Sequence, residues 1–405
     1  MSNLALYEPD SHLPLEKKDA TEYKIILTDA INRAKLSFDK LRSIGRDELA
    51  TEYEELVPKL MAAFSRFIAH ADLSEEQSKT SKIEIIYYIR FITNDSPRTI
   101  KQFVHAINKY TTFCIGNGNY TSPISEFEAI RFIDYLALEH DYKTNTLNSH
   151  VFFVRKLFRL LKLNDEHFRS TRYDTAFKNA RRNNEFYGKT TSKASAMRFK
   201  HIKNIIKYLG RIKKNTNLEL RDCALACLAY DTMLRESEIV RLTFADLKKD
   251  HNGNYIAILT STKNTGETKT KKQRMIWVSS ATFNRINQLY AKLNLAIEAD
   301  FPLIPKLNRN GQIYQAVPLK AATVSSIFTR MHGHLKTNYN YCDSSLAKAW
   351  TGHSCRVGRT EDLVEQGASD IKIMQIGGWT KVDMVKRYSE NIDISNIGNE
   401  YAPNY

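Results

Sequence analysis

Cysteine is scarce and scattered in this chain. Five occur in 405 residues, Cys114, Cys223, Cys227, Cys342 and Cys355. Their odd number and wide spacing fit neither a disulfide framework nor a CxxC metal pair. Cys223 and Cys227 stand four apart in an apolar helical run, where core packing is the expected use. No apolar run approaches the roughly 18 residues of a bilayer span. The opening residues lack a basic head followed by an apolar stretch, so no signal peptide is expected either. No internal repeat is visible, and no paired-carboxylate metal site can be read. The expectation is a soluble protein in a reducing, cytoplasmic compartment, with no membrane partner and no metal or other cofactor.

What the chain does have is positive charge. Sixty Lys and Arg stand against 45 Asp and Glu, a net +15, with an isoelectric point near 9.4. The excess is uneven, because residues 1–80 hold 11 basic and 15 acidic side chains. Residues 81–405 therefore carry all of it, which suits a polyanionic partner such as nucleic acid.

Hydrophobic periodicity predicts a mainly α protein with a small β-sheet in its second half. Residues 1–80 read as an acidic helical N-terminal extension, with helical spacing over Tyr23–Leu41 and Leu56–Ile68. Residues 81–187 read as a helical domain of the kind that grips DNA. In it, Asp95-Ser96-Pro97 starts a helix over Arg98–Ile115, and helices over Glu126–His140, Thr144–Leu163 and Tyr173–Asn184 follow. The polar side of the third holds Asn145, Asn148, Ser149 and Arg155, and the last ends in Arg181 and Arg182. Such faces serve either DNA or water. Residues 188–197 are small, polar and basic, with Lys189 and Lys193, and read as a linker. Residues 198–405 form a second domain. It opens on helices over Phe199–Lys213, Leu218–Leu234 and Glu236–Leu242, and a strand pair, Tyr255–Thr260 with Arg274–Val278, comes next.

Four short patterns carry potential chemistry, and each alone is also what an ordinary surface shows. Arg235 sits where one helix ends and another begins, and a guanidinium there can hold two phosphate oxygens. Lys263 lies in the turn of the strand pair, able to offer a proton to a departing oxygen, although Lys269, Lys271 and Lys272 lie close by. His353 and Arg356, three apart at a helix start, can face one anion. Gly377-Gly378-Trp379 is followed nine residues later by Tyr388.

Taken together and in order, these patterns resemble the tyrosine recombinase (phage integrase) family, and within it the Cre-like branch. Ala229–Ile239 is similar to the family's first-arginine box, Trp350–Gly358 to its H-x-x-R box, and Ile373–Thr380 with Tyr388 to its tryptophan and nucleophile boxes. The resemblance implies a mixed α/β catalytic domain behind a helical core-binding domain. It implies that Tyr388 is the nucleophile, forming a 3′-phosphotyrosyl link and freeing a 5′-hydroxyl through a Holliday junction, without metal or ATP. Arg235, Arg356, His353 and Trp379 would contact the phosphate, Lys263 would protonate the leaving oxygen, and Glu238 would orient the site. The resemblance also implies a homotetramer on two double-stranded DNA sites with paired inverted repeats. The two domains would form a clamp around nucleoid DNA, and a tail bearing Ile392, Ile394 and Ile397 would dock on a neighbour. Base-reading candidates are the Thr144–Arg155 face and the helix near Leu319–Arg330, with Lys320 and Thr323. Tyr401 and Tyr405 are rivals to Tyr388 by residue type but lack its spacing from Trp379. Alternative readings are a telomere resolvase or type IB topoisomerase, and a DNA-binding protein without catalysis.

Overall fold

The computed structural model describes residues 17–189, 194–211, 216–252, 254–261, 272–313, 315–339 and 348–389. The chain divides into two compact units between Ser192 and Lys193.

The first unit is all helix: α1 (Lys17–Ser43), α2 (Asp47–Ala69), α3 (Glu75–Arg90), α4 (Pro97–Gly116), α5 (Glu126–Asp134), α6 (Thr144–Leu160) and α7 (Thr171–Phe186). Its helix starts are written locally. Ser96 accepts from Thr99 N ahead of Pro97, while Ser74 with Gln77 and Ser125 with Glu128 form capping boxes. Each satisfies N–H groups that the first helical turn leaves unpaired. After α5 the chain widens into a looser turn over Tyr135–Glu139, so the single helix expected to His140 ends early. Phe67, Tyr110, Phe132, Phe158 and Phe168 pack largely edge to face, as at Tyr110–Phe132 (5.1 Å) and Phe158–Phe168 (4.9 Å), the arrangement ring quadrupoles favour.

Among the described residues, 17–80 share one core with the rest of this unit. Phe38 from α1 and Leu60, Phe64 and Phe67 from α2 lie in the same buried cluster as Phe103 and Phe158. Residue 80 falls inside α3, where the buried Ser81 hydroxyl donates to Leu161 O at 3.0 Å. The charge boundary in the sequence is a surface property, and the packing runs straight across it.

The second unit contains α8 (Phe199–Arg211), α9 (Asn217–Thr232), α10 (Glu236–Ile239), β1 (Leu247–Lys249), β2 (Tyr255–Ser261), β3 (Lys272–Val278), α11 (Ser280–Lys292), α12 (Ala321–Tyr339), α13 (Ser354–Glu365) and α14 (Asp370–Gly377). Residues 383–389 are helical as well. The strands form one antiparallel sheet in the order β1-β2-β3, with Leu247 opposite Ala257 and Ala257 opposite Ile276. The sequence reading missed β1, three residues too short to show alternation. Helix α9 is central: every residue from Arg221 to Tyr230 is buried, as for a helix enclosed on all sides. Cys223 and Cys227 are among them and are free thiols.

Helix α13 is tied into this unit at its far end. Buried Asp362 accepts from Arg198 Nε (2.7 Å), from Phe199 N (2.8 Å) and from the Tyr230 hydroxyl. Removing that acceptor leaves three donors unmet, so Asp362→Ala should lower the unfolding free energy of this unit by about 3 kcal/mol. A urea titration should show it, and a loss below about 1 kcal/mol would mean that the carboxylate does not hold α13.

Candidate active site

The site begins with the end of α9. Met233 takes a left-handed conformation (φ +50°) that stops the helix, and Arg235 starts α10 two residues later. Glu238 holds Arg235 twice: its carboxylate accepts from Arg235 N at 2.8 Å and from Nη1 at 3.0 Å. The Arg235 side chain remains about half exposed (49%). It is aimed, yet still has donors to offer an anion.

Arg356 is the opposite case, with only 2% of its surface exposed. It lies on the first turn of α13, and its Nη1 donates to Met233 O at the end of α9. Its Nη2 donates to Gly377 O at the end of α14, at 3.1 Å. Met233 is the cap residue just after α9 and Gly377 the last residue of α14, so both carbonyls lie at the negative end of a helix dipole, which favours a cation there. Its guanidinium also lies 5.1 Å from the centre of the Trp379 ring. Burial, with Arg235 and Arg274 adding repulsion against the pull of Glu238, brings its pKa down to about 10. It stays a cation at neutral pH.

Trp379 is itself buried, and its ring centre lies 5.6 Å from that of Tyr388. Both belong to a small apolar cluster with Met233, Leu363, Ile373 and Val385. Gly377 is required here, because a Cβ would fall 2.8 Å from the indole. Gly378 adopts φ +64° and completes the turn, a conformation that costs glycine little.

His353 precedes α13 and is partly exposed. Burial of its ring and the nearby Arg356 and Arg235 hold its pKa below the usual imidazole value, while Glu236 pulls the other way. Glu236 packs directly on the H-x-x-R box. A Cβ on Gly352 would fall 1.8 Å from Glu236 Oε1. Ser325 of α12 bridges them, donating to Glu236 Oε1 and accepting from Gly352 N at 2.9 Å. Nothing local in the sequence announces Glu236 or Ser325, because the contact spans about ninety residues.

The structure therefore gathers Arg235, Glu238, His353, Arg356, Trp379 and Tyr388 around the ends of α9, α13 and α14. Lys263, Lys193, Tyr401, Tyr405, Ile392, Ile394 and Ile397 lie outside the described residues. Arg274, on β3, was missed and touches the same turn. Among the described residues, no three His, Cys, Asp or Glu are grouped to hold a metal, and no helix is long and apolar enough to cross a membrane.

The expected base readers divide. Asn145 on α6 and Arg181 and Arg182 on α7 are exposed, and Asn148 and Ser149 are half-buried. Arg155 turns inward, donating to Phe168 O and to Asp174 (3.3 Å) and lying 5.0 Å from the Tyr173 ring centre. Lys189 pairs with Asp141. Lys320 is exposed and Thr323 half-buried at the start of α12.

Residues 195–393 match the phage integrase family. The recombinase Cre of Escherichia phage P1 is 28% identical over 179 residues, 43% of this chain and 50% of that protein. The match thus spans half the length of this curated relative. Among solved structures, XerH site-specific recombinase bound to palindromic difH substrate, a post-cleavage complex, has a TM-score of 0.55. That likeness covers 86% of this chain and 95% of that one, at 14% identity. The Tn1549 transposon integrase in complex with transposon right end DNA has a TM-score of 0.53 at 13% identity, covering 80% and 99%. These two likenesses establish a shared fold. Over residues 195–393 the chain belongs to the phage integrase family, the tyrosine recombinases.

The environment of His353 makes a prediction. Its folded-state pKa lies below the free value of about 6.5, so the ring is neutral at pH 7 and takes up a proton only in more acid solution. NMR titration should give a midpoint under 6.5. Glu236→Gln, which removes the one raising charge, should move it lower still. An upward move would contradict the assignment of charges around the ring.

Proposed function

We propose that this chain is a site-specific DNA recombinase in which Tyr388 cuts and rejoins strands. The observation that carries this reading is the convergence of two guanidiniums, an imidazole and an indole beside one tyrosine, from segments more than a hundred residues apart. The match of residues 195–393 to the phage integrase family and the 28% identity to Cre over 179 residues support it.

In the proposed reaction the Tyr388 oxygen, its proton lost, attacks the phosphorus of a DNA phosphodiester. The P–O5′ bond breaks as the P–O(Tyr) bond forms, leaving the protein on the 3′ end and a free 5′-hydroxyl. One phosphoester replaces another, so rejoining needs no ATP. Negative charge grows on the non-bridging oxygens in the transition state. Arg356, fixed by two carbonyls, and Arg235, fixed by Glu238, meet that charge without reorganising. These cations take the place a metal would fill. Trp379 offers its indole N–H to the phosphate, and neutral His353 can accept or return a proton. Lys263 is assigned the leaving 5′-oxygen on the resemblance alone.

Exchange between two sites through a Holliday junction requires four active sites, hence a tetramer on paired inverted repeats. The core-type helices are assigned to DNA, with Asn145, Asn148, Ser149, Arg181 and Arg182 as contacts. Lys189, Lys193, Lys320 and Thr323 are assigned likewise. Arg155 is better placed as a support for α6 and α7 than as a reader. The natural setting is the cytoplasmic nucleoid, on DNA that moves between sites.

A randomised duplex library offered to wild type and to Tyr388→Phe, with selection for strands that survive SDS, tests the reading. Capture by wild type alone is expected, and the recovered strands give the target site. Capture by both proteins would place the nucleophile elsewhere, and capture by neither would favour a binder without catalysis. Recombinant junctions among the products distinguish exchange from simple relaxation or hairpin formation. Arg356→Ala should reduce capture by at least about 100-fold, judging by what single preorganised donors contribute. A loss under about threefold would remove this arginine from the reaction.

A further inference from the structure

Strand β3 alternates as a strand with one buried face should. Ile276 and Val278 are buried, while Met275 and Trp277 are exposed. Arg274 falls in the inward register with Ile276 and Val278, where an apolar side chain is the ordinary choice. Its guanidinium lies against Gly378: a Cβ there would fall 2.3 Å from Nη1 and 2.4 Å from Cζ. Among the described residues no carboxylate forms an ion pair with Arg274, and its Nε–H is buried without an acceptor. A half-buried charge kept without an ion partner carries a cost, so its local contacts must justify it.

Those contacts are at the end of α14. A helix leaves its last carbonyls unpaired unless the following turn meets them. Here Trp379 N donates to Met374 O at 3.0 Å and Gly378 N to Gln375 O at 3.4 Å. The next two carbonyls each receive a guanidinium. Ile376 O accepts from Arg274 Nη2, and Gly377 O accepts from Arg356 Nη2. Two arginines from different elements thus grip successive carbonyls of the turn that leads into Trp379 and on to Tyr388. Arg274 is near enough to Arg356 to depress its pKa, and it senses Arg235 and Glu238 in turn.

We propose that Arg274 is a positioning residue for strand cleavage: with Arg356 it clamps the Ile376–Gly378 turn and so sets the placement of Trp379 and Tyr388. The proposal rests on the reading of Tyr388 as nucleophile. Arg274 acts on the turn and need not touch DNA, so its loss should change the rate at saturating DNA and leave affinity nearly intact.

The test uses the full-length chain as wild type, Arg274→Met and Arg274→Lys, on a captured target duplex. Arg274→Met should bind within about threefold of wild type, while covalent-link formation at saturation falls at least about 30-fold, the signature of geometry lost only in the reacting complex. Arg274→Lys keeps the charge and one donor, and should recover to within about fivefold of wild type. Gly378→Ala, whose new methyl meets the Arg274 guanidinium, should cost less in the Arg274→Met background than in wild type, because the collision is gone. Equal losses of affinity and rate, no loss, or lysine no better than methionine would overturn the proposal. Hydrogen exchange over residues 376–389 of the free protein reads the clamp without DNA. Faster exchange in Arg274→Met, with near wild-type exchange in Arg274→Lys, is expected, and unchanged exchange would overturn it. If wild type forms no Tyr388-dependent link, the recombinase reading fails, while the exchange measurement still decides whether the clamp exists.

Discussion

The second unit depends on burying one cation. Arg356 is almost wholly removed from water, a placement that would cost several kcal/mol if its donors went unmet. It is met by the carbonyls of Met233 and Gly377, where α9 and α14 end. Much around it follows from that need. Met233 must break α9 in a left-handed conformation to present its carbonyl, and Gly377 must lack a side chain so that Trp379 can close over the guanidinium. The same end of α14 needs a second cap, which Arg274 supplies. At the far end of α13, Asp362 holds the helix against α8 and α9. The groups of this site are thus held by contacts within the protein itself.

Such an arrangement suits the proposed phosphoryl transfer. Charge appears briefly on non-bridging oxygens, and donors already in place stabilise it without paying for their own ordering. In the proposed reaction the two arginines would divide the work by exposure. Arg356 is buried and fixed, whereas Arg235 is exposed and, among the described residues, held by Glu238. The pKa of His353 is lowered first by burial of its ring and then by the charges of Arg356 and Arg235, which also disfavour a protonated imidazole. The histidine is therefore available as an acceptor.

Much of this was legible in the sequence, and the reasons are local. Ser96-Pro97 and the Ser125–Glu128 box announce helix starts through bonds that span three residues. The break at Arg235 and the i, i+3 pair His353 and Arg356 are local too, so these residues could be singled out from order and spacing, and the resemblance to the family then implied their roles. What stayed hidden is non-local. Whether residues 1–80 share a core with α4 and α6 depends on packing that charge does not report. Arg155 reads as an outward polar residue on α6, yet Phe168 O and Asp174 draw it inward. Arg274 left one trace, an arginine in the inward register of a strand, which becomes meaningful only once Gly378 is seen beneath it. The Glu236–Ser325–Gly352 contact left none.

In the proposed reaction Tyr388, beside Trp379 and Arg356, becomes covalently attached to the 3′ end of a cut strand. Mapping the attachment tests it most directly: wild-type protein trapped on its target DNA is digested with nuclease and protease, and the nucleotide-bearing peptide is sequenced by mass spectrometry. One modified residue is expected, Tyr388, carrying a 3′-linked nucleotide, with a free 5′-hydroxyl on the other fragment of the same cut strand. A nucleotide on Tyr401, on Tyr405 or on any other side chain, or attachment through the 5′ end, would contradict it.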